Sequence, residues 1–132
     1  MTSTDVFNSC YDDLRRTVLE GQHFGRQCFV GGDFNSEMYR GIRGNRLREF
    51  LAEVSLQNTA THFSEVPDIA WTFKSALGHK RILDYCFVPT DVCVESSNSI
   101  GGLDLGSDHR CVQSCLLLPS RIHENRKTDP TN

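Results

Sequence analysis

The sequence predicts a mixed α/β (α+β) domain. Two stretches within the first 54 residues carry apolar side chains at helical spacing, the second half holds apolar runs of strand length, and Gly, Pro, Asn and Ser separate them. In the first helix, residues 5–20, Val6, Cys10, Leu14 and Val18 recur every four positions, Asp12 and Asp13 lie opposite, and Gly21 is the stop. Residues 27–31, an apolar run before Gly31-Gly32, predict a buried strand. Asp33 then falls just past its carboxyl end, where open sheets place chemistry. Residues 36–44 read as a loop. Asn45 caps a second helix whose Leu47, Phe50, Leu51 and Val54 fall at i, i+3, i+4 and i+7.

Residues 58–63 are a short strand or connector, 64–68 a loop around Pro67, 70–73 a short strand and 75–80 a turn. The clearest strand is 81–88. Ile82, Cys86 and Val88 share one face and Leu83, Tyr85 and Phe87 the other, so it belongs at the centre of a sheet, with Asp84 the only carboxylate inside the run. Residues 92–94 predict a further strand, 96–106 a polar loop, and 110–118 a last strand stopped by Pro119. The domain is therefore expected over 1–118, with a disordered polar tail over 119–132.

Length and charge narrow the function. A chain of 132 residues is one domain or part of one, and 38% apolar residues fit a globular protein. A net charge of −3 excludes a strongly basic nucleic-acid binder, but not a nuclease that grips phosphate through a few arginines and a metal. The first nine residues are polar, so no signal peptide is expected, and no apolar run reaches membrane-spanning length. The six cysteines mostly sit in apolar runs and are read as reduced, buried thiols. Cys111-x-x-x-Cys115 marks one face of a strand rather than a zinc site.

Three islands carry the candidate chemistry: Gly32-Asp33-Phe34-Asn35, Leu83-Asp84-Tyr85 and Ser107-Asp108-His109. In extended chain Asp33 and Asn35 point the same way and can face one ligand; the alternative is an Asx turn that satisfies its own backbone. Asp84, inside an apolar strand, needs a partner. A histidine would gain a fixed tautomer from it, and the alternative is a backbone amide or Arg81. His109 can donate to a phosphate oxygen or move a proton; the alternative is a turn Asp108 beside a rim His109. Arg40, Arg43, Arg46 and Arg48, and His79, Lys80 and Arg81, form two basic clusters that either steer a nucleic-acid backbone or are ordinary surface. His23, His62, His79 and His123 have no comparable context.

Together the islands resemble the G-D-F-N, hydrophobic-Asp-Tyr and S-D-H motifs of the endonuclease/exonuclease/phosphatase (DNase I-like) superfamily, in the order of its second half. Trp71-Thr72-Phe73 sits where that family has a Thr-aromatic strand, and the helix over 47–54 lies between the first two motifs. The resemblance spans residues 28–118. Gly106-Ser107-Asp108-His109-Arg110 and the compact spacing are most similar to endonuclease domains of non-LTR retrotransposons and craniofacial-development-like proteins.

The resemblance implies the carboxy-terminal half of a four-layer β-sandwich with flanking helices, and metal-dependent phosphodiester hydrolysis that nicks DNA. It implies that Asp33 orients or deprotonates the attacking water and contacts the metal, and that Asp108 contributes to the metal or phosphate. Asn35 would help hold that water or the phosphate, and His109, oriented by Asp84, would stabilise the charge growing on the phosphate; Arg81, from the second basic cluster, is the further substrate-contact candidate. The implied ion is Mg²⁺, with Mn²⁺ as the alternative. A retroelement endonuclease would be nuclear. The family's first half carries a metal-binding Glu that nothing before Cys28 matches. The chain alone is thus expected to be truncated and inactive or very weak unless a further half or self-association completes the site, with an apolar face or edge exposed. The competing expectations are a non-catalytic retroelement remnant or binding module, and a phosphatase or phosphodiesterase of the same fold acting on lipid or nucleotide.

Overall fold

The computed structural model describes residues 3–63, 70–101 and 106–118. Helix α1, Ser3–His23, packs its Phe7, Tyr11, Leu14 and Val18 face inward, while Val6 and Cys10 are exposed. A strict four-residue repeat drifts around a helix of 3.6 residues per turn. Val6 therefore lies about 120° from Val18, and Phe7 only about 20° from it. The helix also runs through Gly21. Its stop is Gly25, at φ 75°, where Gly25 N–H donates to Gln22 O (2.9 Å) and Arg26 N–H to Gly21 O (3.0 Å), a Schellman closure.

Strand β1, Val30–Asp33, begins later than the apolar run and ends on Asp33 itself. Helix α2, Gly41–Val54, starts four residues before the expected cap. Arg40 is its N-cap without a side-chain capping bond, and Asn45 lies in the second turn, bonded to Glu49 and Arg48. The expected spacing of Leu47, Phe50, Leu51 and Val54 holds, and all four are buried. Ser55, left-handed at φ 55°, turns the chain into β2, Leu56–Asn58, followed by a 3-10 turn over Thr59–His62. The loop expected over 64–68 lies outside the described residues.

Strands β3 (Phe73–Lys74) and β4 (Lys80–Arg81) form a small hairpin. The single strand expected over 81–88 is thus two, separated at Ile82–Leu83 and continuing as β5, Asp84–Pro89. Strand β6, Cys93–Ser99, absorbs residues assigned to a loop, and β7, Val112–Leu117, pairs with it. The expected tail lies outside the described residues.

The architecture is α+β with antiparallel sheets. β5 is central in the order β1-β5-β2, and β3–β4 and β6–β7 are two-stranded. Tyr85 and Phe87 of β5 meet Leu47, Phe50 and Val54 of α2 and Tyr11 and Val18 of α1. Phe50, Phe87 and Leu47 are essentially inaccessible, each worth about 1.5–3 kcal/mol of burial. Ser97, Ser114 and Thr59 hydroxyls, each 2.9 Å from the next, tie β6–β7 to the 3-10 turn. Among the described residues β1 pairs only with β5, so its outer edge is open beside exposed Phe29. The cysteines are all free thiols but none is fully buried, and Cys10, Cys93 and Cys115 are exposed.

Candidate functional site

The antiparallel register of β1 with β5 sets Asp33 directly opposite Asp84. Like charges facing each other across a strand pair are destabilising unless a cation intervenes. His109 enters this position from the start of the last segment. It is paired backbone to backbone with Phe73, whose ring lies 4.9 Å away, and its N–H donates to Ser107 Oγ (3.1 Å). His109 Nδ1 is 2.8 Å from Asp84 Oδ2, and Nε2 is 3.7 Å from Asp33 Oδ2. An ionised Asp84 only accepts, so Nδ1 is the donor and Nε2 is turned toward Asp33.

The Asp84 hydrogen bond holds the His109 pKa above its ordinary 6.5. Desolvation opposes this, and the charges of Asp84, Asp33 and Asp108 add to it. Exposure falls from 48% for the Asp33 side chain to 31% for His109 and 17% for Asp84, so Asp33 is the member presented to solvent.

The loop after β1 is fixed by Tyr85. Its hydroxyl accepts from Met38 N–H (3.0 Å) and lies within donating distance of Ser36 O (2.8 Å) and Ile82 O (2.7 Å). Burial pushes the phenol well above its usual pKa, so it stays a donor. Asn35 is left-handed at φ 46°, and its N–H donates to Asp33 Oδ1 at 2.8 Å. The extended geometry expected to aim both side chains at one ligand is therefore replaced by an Asx turn, which leaves Asp33 Oδ2 to face His109. Asn35 lines a separate cavity of about 490 Å³ with Arg40, Arg43 and Arg81.

Asp33, Asp84 and His109 are thus brought together from three distant segments, with candidate ligand atoms within 4.8 Å of one another. The exposed Asp108 side chain stands outside that cluster, and Asp84 takes the place among potential ligands that Asp108 was expected to fill. Exposed Arg81 faces the Asn35 cavity rather than the cluster. A second cavity, about 310 Å³, opens beside the two aspartates, between Gly31-Gly32 and Arg110 to Val112.

Compared with protein families, curated proteins and solved structures, the chain matches none.

The donor set suits a hard divalent ion. With Nδ1 committed to Asp84, the remaining donors are mainly carboxylate oxygens, and Mg²⁺ is held by one or two carboxylates while keeping several waters. An imidazole nitrogen beside two carboxylates also suits Mn²⁺ or a softer ion, so the cluster by itself does not select Mg²⁺. Sequence reasoning gave no role to the Tyr85 hydroxyl or to Thr72, whose Oγ1 accepts from Asp84 N–H. Beyond their places in the hydrophobic-Asp-Tyr and Thr-aromatic motifs, the signal in each case was a polar atom embedded in an apolar run.

Proposed function

We propose that this chain carries the site of a metal-dependent phosphodiesterase, a DNase I-like endonuclease that nicks DNA. The observation that carries the proposal is the Asp33–His109–Asp84 arrangement, with Nδ1 on Asp84 at 2.8 Å and Nε2 turned to Asp33. Asp84 holds the imidazole charged and oriented. His109 Nε2–H then donates to a non-bridging phosphate oxygen and stabilises the charge growing there. Asp33, the most exposed of the three, orients the attacking water and takes its proton. A divalent ion held by the aspartates would supply further positive charge to the phosphate. That ion would also relieve the repulsion built into the Asp33–Asp84 register.

DNA is favoured as substrate by the local charge, against the net acidity of the chain. The β3–β4 hairpin pairs with the His109 segment and carries exposed Lys74, His79, Lys80 and Arg81, with Leu77 at its tip 86% exposed. A short basic ribbon with an apolar tip suits a nucleic-acid groove. Arg40 and Arg43 extend the basic surface past Asn35.

Among the described residues few protein ligands would reach such an ion, so cleavage by this chain alone should be slow. Supercoiled plasmid incubated with excess chain in Mg²⁺ tests the proposal. Slow nicking abolished by EDTA and by His109→Ala is expected; nicking unaffected by either change would sink it.

A further inference from the structure

Asp84 and His109 stand 25 residues apart in sequence, and their side-chain bond requires two backbone segments to be held at a fixed offset. Thr72 is bonded to the backbone of both segments. Thr72 is fully buried, between Trp71 and Phe73. Its Oγ1 accepts from the backbone N–H groups of Leu83 (2.9 Å) and Asp84 (3.1 Å), at the break between β4 and β5. Its own N–H donates to Arg81 O (2.9 Å), and its carbonyl accepts from Arg110 N–H (2.7 Å), one residue past His109. The next residue, Phe73, pairs with His109.

We infer that Thr72 is the positioning residue of the Asp84–His109 pair: its hydroxyl fixes the backbone of Asp84 while its carbonyl fixes that of the His109 segment. The inference rests on the reading of that pair as the working site. Thr72 touches no reacting atom and acts only through the two residues it aligns. The Leu83 and Asp84 amides fall at the break and at the first residue of β5, and among the described residues Thr72 Oγ1 is the acceptor that satisfies both. The same residue ties in the basic hairpin, because its N–H bond closes onto Arg81 at the end of β4. Valine matches threonine in shape but lacks the acceptor, whereas serine retains it.

The test reads the imidazole ¹⁵N shifts of His109 in the metal-free chain, at a pH where the ring is neutral. An unconstrained imidazole favours the Nε2–H tautomer, and a carboxylate accepting from Nδ1 enforces the other. Wild type and Thr72→Ser should show the Nδ1–H tautomer. Thr72→Val and the less crowded Thr72→Ala should revert to Nε2–H with retained secondary structure, and slow nicking by about 100-fold, as a misplacement near 1 Å does. An Nδ1–H tautomer persisting in the Val and Ala variants would overturn the inference. So would a Ser variant that fails to restore it, or Val and Ala variants that unfold while Ser folds, since Thr72 would then be a determinant of the fold rather than of the pair. A tautomer change that follows this pattern in a chain with no nicking activity would uphold the positioning role and sink only the hydrolytic reading.

Discussion

Replacing Tyr85 by phenylalanine isolates one hydroxyl. The ring stays, and with it the stack on Phe87 at 5.5 Å and the contact with Phe34 at 6.1 Å. What is lost is the acceptor for Met38 N–H and the donor shared between Ser36 O and Ile82 O. Met38 and Ser36 are both buried, at 6% and 4% exposure, so water replaces little of this. Each orphaned buried group costs about 1–3 kcal/mol. Two such groups, the Met38 amide and one carbonyl, give about 2–6 kcal/mol, a large share of the stability of a small domain. Urea denaturation of the two chains measures it: the midpoint should fall with the slope unchanged. Amide exchange at Met38 should accelerate in parallel, because the loop that follows Asp33 loses its anchor. A loss below about 0.5 kcal/mol would refute the reasoning, since surface-like changes fall in that range.

Tyr11→Phe should have the opposite sign. The Tyr11 hydroxyl is buried without a hydrogen-bond partner among the described residues, and burial pushes its pKa to about 12, so removing the oxygen should raise stability by about 1 kcal/mol in the same titration. Gly44→Ala should destabilise by about 2 kcal/mol, because its Cβ would drive into the Glu37 carbonyl and come within 3.0 Å of Met38 O, both backbone atoms that cannot swing away. In the metal-free chain, His109 titrates above 6.5 when folded. The charged pair therefore contributes stability that is fully present below pH 6.5 and is lost as pH rises through the folded pKa. Asp84→Asn should remove most of that pH dependence and lower the pKa seen in the His109 NMR titration; an unchanged titration would contradict the Asp84 assignment.

Much of this fold is legible in the sequence where burial alone decides it. Leu47, Phe50, Leu51 and Val54 needed only their spacing to define α2, and the two apolar faces around Asp84 marked β5 as central. Boundaries set by backbone geometry were less visible. The end of α1 depends on which of two glycines adopts positive φ, and it is Gly25, not Gly21. The start of α2 at Gly41 lacks a capping side chain that could announce it. Three of the named site residues, Asp33, Asp84 and His109, do converge, because the β1–β5 register and the Phe73–His109 pairing bring their segments together. Asn35 departs because its neighbour's carboxylate captures its N–H and turns the chain, a local competition that spacing does not reveal. Asp108 stands outside the ligand cluster, exposed on a bend, although its charge still helps to raise the His109 pKa.

The most direct test of the account is single-turnover plasmid nicking in Mg²⁺ by wild type, Asp33→Asn, Asp84→Asn, His109→Ala and the Asp84→Asn/His109→Ala double variant. Residues that act as a unit are non-additive. Slow wild-type cleavage is expected, with a loss of about 100-fold or more in each single variant and a double variant no worse than His109→Ala. Multiplicative losses in the double variant, or cleavage that survives His109→Ala, would contradict it.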